Sequence, residues 1–459
     1  MRRSHLLLAG AVVVAGAASL VGNRSATPAE VQGAPLDPGG RGDPELRRAD
    51  GAPRDPGRAL APAPTVASIA DLLDLDHREL TADGAHFEAP LKDGRRAVLT
   101  LDPALQALAE KLLAEARAPR GAIVVMAPDG RILALAGRRS DPPARDAREA
   151  GATAKPHAPD AVSDWRLATD VWAPAASVFK LVTASALVAA GVDPSDKVCF
   201  HGGLRSVLPS NLHDDKHDSR CESLMYGVAH SNNAILGKLA FQKLAPAELT
   251  RFAHDLGIAE GLPGAELPGA AGAIDLPTAR DLSFAQAAAG FVGSQLSAVG
   301  GALLAATFAD DGEQPAPWLV ASIDGAAVVA APRRRAVESQ IAKAVGKMML
   351  ATCEFGSASR SFGRHQPIHV AGKTGTLART APFYMEHSWF VGYAPAEQPQ
   401  VIVSVVLGNP ENWHLRGHEA ARRLIDRALD LTSGLASGHA PGREKDRTAK
   451  ISSTRRVGW

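Results

Sequence analysis

The sequence predicts a mixed α/β domain in which an antiparallel sheet is flanked by helices and an all-helical part is inserted between early and late strands. Three observations carry this. "GAIVVMAPDGRILALAG" places two apolar runs around Pro128-Asp129-Gly130, the pattern of strand, tight turn, strand. A long helical middle follows. Three β-rich runs, "IHVAGKTGTLA", "SWFVGYAP" and "QVIVSVVLGN", come late. No βαβ alternation and no fixed-period repeat is present, so the early hairpin is expected to pair with the late strands.

Element by element, the order is as follows. "MRRSH" is basic, and "LLLAGAVVVAGAASLVG" from Leu6 to Gly22 is uncharged and apolar. Residues 1–22 are therefore read as a signal or membrane anchor with its basic side cytoplasmic. We read the run as retained, because no small-x-small cleavage site closes it. Residues 23–64 hold hardly any large apolar side chain and read as a Pro/Gly/Ala-rich linker that cannot offset its own ordering entropy. Residues 65–98 form a short pre-domain segment, 99–432 the main domain and 433–459 a flexible basic tail.

Within the domain, Leu105, Leu108, Leu112 and Leu113 recur at helical spacing. A polar loop over about Arg138–Asp160 follows the hairpin. A helix is expected from about Ala175 to Ala190, stopped by Gly191 before Asp193-Pro194. "ESLMYGVAHSNNAILGKLAFQKL" reads as helix, break, helix. "DLSFAQAAAGFVGSQLSAVGGALLAATFADDG" reads as helical in its second half, "AVGKMMLATCE" as another helix, and "GHEAARRLIDRALDL" as the closing one.

Composition excludes some functions. Net charge is +1 and aromatics are 5%, so neither a basic footprint nor a base-stacking platform for nucleic acid exists. The function must come from a site.

One stretch supplies a candidate. "PAASVFKLVT" sets Ser177 and Lys180 three residues apart, on one face of a helix. Ser177 falls in the first turn, where free N–H groups and the helix dipole favour negative charge. Lys180 lies among Val178, Phe179, Leu181 and Val182. Burial there favours the neutral amine, which accepts a proton. Alone, such a pair is better explained by a capping serine and a snorkelling lysine. "HSNNA" then sets Ser231 and Asn233 at a break between helices, and "GKTGT" sets Lys373, Thr374, Gly375 and Thr376 on a strand. Each has an ordinary explanation as a cap or a strand end. The three in this order form the constellation of serine acyltransferases.

From about Leu99 to Leu431 the chain resembles the transpeptidase domain of penicillin-binding proteins, of the β-lactamase/transpeptidase-like fold. "LTLDPALQ", "GAIVVMAPDGRILALAG" and "HSWFVGYAP" resemble family segments in matching order. The resemblance implies a D,D-transpeptidase that forms an acyl-enzyme with D-Ala-D-Ala stem peptides of peptidoglycan and passes it to an amine. It also implies covalent binding of β-lactam antibiotics, action at the periplasmic face of the cytoplasmic membrane, a possible glycosyltransferase partner and no cofactor or metal. By position, Ser177 is the nucleophile and Lys180 takes its proton. Ser231 relays a proton to the leaving amine, and Lys373 supplies positive charge beside it. Asn233 holds the substrate amide, and Thr374 and Thr376 bind its terminal carboxylate. Gly375 admits the strand backbone close to substrate, and the N–H groups of Ser177 and Thr376 form an oxyanion hole.

The chain departs from the family in reading "PAAS" where Pro-Gly-Ser is frequent. About 75 residues lie between the apolar run and Leu99, much of them of low complexity, so a glycosyltransferase domain is not expected there. The alternatives are a D,D-carboxypeptidase, a class D-like β-lactamase or a non-catalytic penicillin-binding sensor. Three intact motifs oppose the sensor, and Asn233 opposes β-lactamases whose second motif ends in valine. No acidic residue can be placed beside Ser177 as a deacylating base; Glu222 reads as a solvated helix start.

Cys199 and Cys221 flank a polar loop and are expected to form a disulfide in an oxidising compartment. His201, His213 and His217 share that loop at irregular spacing, so no zinc site is assigned. Cys353 is read as a buried thiol.

Overall fold

The computed structural model describes residues 72, 75–140, 161–263, 267–380 and 383–436. The apolar run Leu6–Gly22, the linker over 23–64, the loop over 141–160 and the tail beyond 436 lie outside the described residues.

The central sheet has six strands. In chain order they are β1 (Arg120–Met126), β2 (Ile132–Arg139), β3 (Val162–Ser163), β4 (Ala371–Arg379), β5 (Met385–Ala394) and β6 (Val401–Asn409). Their order in space is β4-β5-β6-β1-β2-β3, so the early hairpin does pair with the late strands, through Val403↔Val125 and its neighbours. Every pairing is antiparallel. The strand bearing the Lys-Thr-Gly-Thr run, β4, is an edge.

Both faces of this sheet are covered, and that explains why β6 reads as a continuous apolar run. All nine of its residues are buried. Phe390, Val403, Val405 and Leu407 pack on one side with Leu105, Leu112, Leu424 and Ile425. Those leucines and Ile425 come from α1 (Pro103–Ala116) and the closing helix (Gly417–Ala436), which runs into the stretch expected as tail. Trp389, Val391, Ile402 and Val406 pack on the other side with the inserted helices, among them Ala302 and Leu304. Helix α1 begins where the sequence supplies both signals for a start. Asp102 Oδ1 accepts from the N–H of Ala104 and Leu105, at 2.9 Å each, and Pro103 takes the first turn.

The inserted helices that matter to the site are α2 (Lys180–Ala189), α3 (Leu224–Ala229), α4 (Asn233–Lys243) and α5 (Ser339–Glu354). Three local expectations need correction. The helix expected from Ala175 begins as a 3-10 turn, Ala176–Phe179, and becomes α-helical only at Lys180. The first half of the Ala-rich run is helical too, over Leu282–Ala288, and a short strand, Ser294–Leu296, precedes the next helix. Glu222 stands in a strand, Arg220–Ser223, and faces Arg220 at 3.6 Å. A second sheet joins Glu79–Leu80, Phe87–Pro90 and Arg96–Leu99 to Val320–Ile323 and Ala326–Ala327.

Candidate active site

Ser177 lies in the 3-10 turn that leads into α2. The turn is entered through Ala176, whose φ of 50° is in the left-handed region. That conformation costs a residue with a Cβ on the order of 1 kcal/mol. It falls at the position where the sequence departs from the family's glycine. Surrounding contacts hold it there. Gly290, at φ 88°, passes so close that a Cβ on it would lie 2.0 Å from the Ala176 carbonyl oxygen. Trp389 of β5 donates its indole N–H to Pro174 O at 2.9 Å. The turn is thus fixed to the central sheet on one side and to a loop on the other.

Ser231 also has left-handed backbone, φ 56°, in the break between α3 and α4. Asn232 makes that break: its Oδ1 accepts from Ile235 N at 3.0 Å and so caps α4. The cap leaves Asn233 as the first residue of α4, pointing back toward α2.

Three of the side chains singled out in the sequence meet at Lys180. Its Nζ lies 2.7 Å from Ser177 Oγ, 3.1 Å from Ser231 Oγ and 2.6 Å from Asn233 Oδ1, and 3.2 Å from the Ser231 carbonyl. Two of these partners, the Asn233 amide oxygen and the Ser231 carbonyl, can only accept. A neutral amine has two N–H donors and one lone pair. The two obligate acceptors take the donors, and the lone pair is left for a hydroxyl proton. Lys373 of β4 stands behind Ser231, with Nζ 3.1 Å from Ser231 Oγ and 2.9 Å from Thr374 O.

Both lysine side chains are fully buried. Among the described residues, no carboxylate is bonded to either. Burial, with Lys373 as a nearby like charge, therefore holds Lys180 well below the ordinary lysine range. Burial pulls Lys373 down to about 7. The remaining predicted residues are placed along β4. Thr374 Oγ1 is bonded to Ser357 Oγ at 2.6 Å, and Thr376 is exposed. A Cβ at Gly375 would meet Trp389 Cβ at 3.1 Å and Val178 at 3.2 Å, so this glycine lets β4 lie against the turn that carries Ser177.

A cleft of about 630 Å³ opens over Ser177, Ser231, Asn233, Thr374 and Thr376. Its walls include residues that no motif announced. Leu204 is 83% exposed at the rim. Its carbonyl accepts from Asn233 Nδ2 at 3.2 Å, and Gly203 O accepts from Asn233 N at 2.7 Å. Glu386 of β5 lies opposite Ala378 and lines the cleft without a hydrogen bond to Ser177 or Lys180. Only the alternation of β5 could have pointed to Glu386, and nothing local pointed to Leu204 or Ser357.

Leu204 belongs to the loop between Cys199 and Cys221. These cysteines lie directly opposite each other on paired strands and are joined by a disulfide. Below the loop is an ionic cluster around the buried Lys238 and Asp218. Lys238 Nζ of α4 lies 2.8 Å from Asp218 Oδ2, 2.9 Å from Asp214 Oδ1 and 2.8 Å from Cys199 O. His201 Nδ1 is 2.6 Å from the other Asp218 oxygen. His213 packs edge-on against Phe241 instead of joining them. Burial lowers the Lys238 pKa, but bonds to Asp218 and Asp214 outweigh it and the net direction is up. Cys353 is buried, and desolvation pushes its thiol far up.

Comparison with known proteins agrees with this geometry. Residues 121–428 match the penicillin binding protein transpeptidase domain. A probable peptidoglycan D,D-transpeptidase PenA of Neisseria flavescens is 28% identical over 377 residues, covering 80% of this chain and 86% of that protein. A probable peptidoglycan D,D-transpeptidase PbpC of Pseudomonas aeruginosa is 30% identical over 336 residues, covering 70% of this chain and 55% of that one. So the chain spans about half the length of some relatives. Among solved structures, the imipenem acyl-enzyme of penicillin-binding protein A from M. tuberculosis superposes with a TM-score of 0.57. It has 24% identity and covers 73% of this chain and 80% of that chain. The D,D-transpeptidase domain from Eggerthella lenta gives 0.55 at 26% identity, covering 74% and 84%. With the match spanning the sheet, the inserted helices and all three motifs, the chain belongs to the penicillin-binding protein transpeptidase domain family.

Proposed function

We propose that this chain is a peptidoglycan D,D-transpeptidase that works through an acyl-enzyme on Ser177. One observation carries the assignment. A buried lysine with no carboxylate partner among the described residues touches the hydroxyls of both Ser177 and Ser231. Ser177 Oγ attacks the penultimate D-Ala carbonyl and gives its proton to the neutral Lys180. The proton passes through Ser231 to the leaving D-Ala nitrogen as the peptide bond breaks. Lys373 supplies positive charge beside Ser231 to the extent that it is protonated. Asn233, oriented by Lys180 on its oxygen and by Leu204 O on its nitrogen, keeps one N–H for the substrate's amide carbonyl. Thr374 and Thr376 hold the terminal carboxylate, and the N–H groups of Ser177 and Thr376 stabilise the oxyanion. β-Lactams acylate the same serine.

We further propose that Leu6–Gly22 tethers the domain to the cytoplasmic membrane through the 23–64 linker, with the domain on the periplasmic side. Separate glycosyltransferases would then supply its glycan strands. Among the described residues no helix is long and apolar enough to cross a membrane, and that run lies outside them.

Glu386 favours one second reading, a D,D-carboxypeptidase. It is a carboxylate within the cleft that could activate water. Glu386→Gln separates the two: a transpeptidase keeps its deacylation rate, and a carboxypeptidase loses it by tenfold or more. The assignment itself is tested by intact mass after incubation with benzylpenicillin. The expected result is one adduct per chain, mapped to the Ser177 peptide and absent from Ser177→Ala. An adduct that persists in that variant refutes it.

A further inference from the structure

A second cleft, of about 760 Å³, shares Ser357, Thr374, Thr376 and Glu386 with the one over Ser177. Its outer walls come from the segment between β6 and the closing helix, notably Glu411, Trp413, His414 and Arg416. The Ser357–Thr374 hydroxyl pair, at 2.6 Å, stands where the two clefts meet. The Arg416 guanidinium lies 5.4 Å over the Trp413 ring. Neither Arg416 nor Glu411 has an ion pair among the described residues.

The reaction proposed above needs such a space. In the first half-reaction the leaving D-Ala carries its carboxylate at Thr374 and Thr376. In the second, an amine nitrogen bonds to the acyl carbon and the Ser177 Oγ–carbon bond breaks. The proton lost by the amine returns to Ser177 Oγ through Lys180. Microscopic reversibility brings the incoming nitrogen in along the path the leaving nitrogen took. It must therefore arrive beside the same two threonines. A leaving D-alanine is small and ends there. An acceptor amine belongs to a peptide, and the rest of that peptide must continue past the threonines. The second cleft is the space on that side. Its walls carry both signs, Glu386 and Glu411 against Arg416. That suits a chain with both an ammonium and a carboxylate near its reactive end.

We propose that this cleft is the acceptor subsite, and that Arg416 and Glu411 select an amine-bearing stem peptide over water and over small amines. The inference rests on the transpeptidase reading.

The experiment uses a thioester donor, which acylates Ser177 without D-Ala release, and compares two acceptors. One is D-alanine, which reaches only the threonines. The other is a stem peptide with a free side-chain amine. Arg416→Glu and Glu411→Lys are expected to reduce transfer to the peptide about tenfold. Transfer to D-alanine and acylation by benzylpenicillin should stay within twofold of the parent chain. Unchanged peptide transfer would overturn the proposal, and so would an equal fall for both acceptors. Binding of the peptide acceptor to Ser177→Ala by calorimetry needs no acyl-enzyme. It should be lost with Arg416→Glu added, and equal binding with and without that change overturns the subsite even if the acylation chemistry is assigned wrongly.

Discussion

Two regions of this molecule bury lysine side chains, and they treat the charge in opposite ways. Around Lys180 and Lys373 the partners are hydroxyls, an amide oxygen and backbone carbonyls. Around Lys238 they are two aspartates and a carbonyl. Lys180 and Lys238 are equally inaccessible, at 0% and 1% exposure, yet one is pushed down in pKa and the other up. Burial alone does not decide whether a lysine is a base or a structural cation; a carboxylate partner does. The first region can take up a proton. The second fastens the disulfide-closed loop to α4, and that loop holds Leu204 O against Asn233.

The comparison is sharpened most strongly by exchanging each lysine for methionine. Lys180→Met removes the proton acceptor, and acylation by benzylpenicillin should fall by at least about 10³, the scale of general-base contributions. Folding should be affected less than by loss of Lys238, because Asn233 Oδ1 and the Ser231 carbonyl lose a donor but no buried charge is left unpaired. Lys238→Met should do the reverse. It takes the lysine from Asp218, whose side chain is 6% exposed and keeps only His201 and a backbone N–H, and removing one partner of a buried pair costs about 3–5 kcal/mol. Denaturant midpoints of the two variants give the test. If Lys180→Met proved the more destabilised of the two, the assignment of roles would be wrong.

Next in size is the disulfide. Cys199 and Cys221 are 22 residues apart, and cross-linking a loop of that length is worth about 3 kcal/mol. Cys199→Ser with Cys221→Ser should lower stability by that order. It should also slow acylation by penicillins whose side-chain amide needs Asn233 more than acylation by 6-aminopenicillanic acid, which lacks that amide. An equal effect on both would confine the disulfide to stability.

The smallest effect is expected at Ala176. Relief of its left-handed backbone by glycine is offset by the lost methyl group, and Ala176→Gly should change stability by less than about 1 kcal/mol. Thermal melts measure this. A larger change would mean that the turn before Ser177 is held under more strain than its φ implies.

The sequence made one of these two regions legible and not the other. Ser177 and Lys180 could be paired because helical spacing fixes which side chains share a face. Ser231, Asn233 and Lys373 could be added because their order along the chain matched a known constellation. The early and late strands could be joined because no crossover helices separate them. The Lys238 cluster had no such signal. Lys238 and Asp218 are 20 positions apart and meet only because the hairpin closes. The irregular spacing of the histidines beside them gave no hint that His201 is bonded to Asp218 or that His213 rests on Phe241. Glu386, Ser357 and the second cleft depend on register between strands and on the segment before the closing helix, which local pattern does not determine. The 3-10 start of α2 was missed because it is imposed by Gly290 and Trp389 from outside the helix.

The central claim is that Lys180 is a neutral base at working pH, and the pH profile of acylation addresses it directly. Benzylpenicillin acylation should be followed as the second-order rate constant from pH 5 to 10.5, which reports groups in the free enzyme. A lysine held well below its ordinary value of 10.5 gives up its proton well before that pH. The rate should then level off well below pH 10.5. A rate that keeps climbing about tenfold per pH unit through pH 10 would mean that Lys180 is an ordinary ammonium, and would contradict the account.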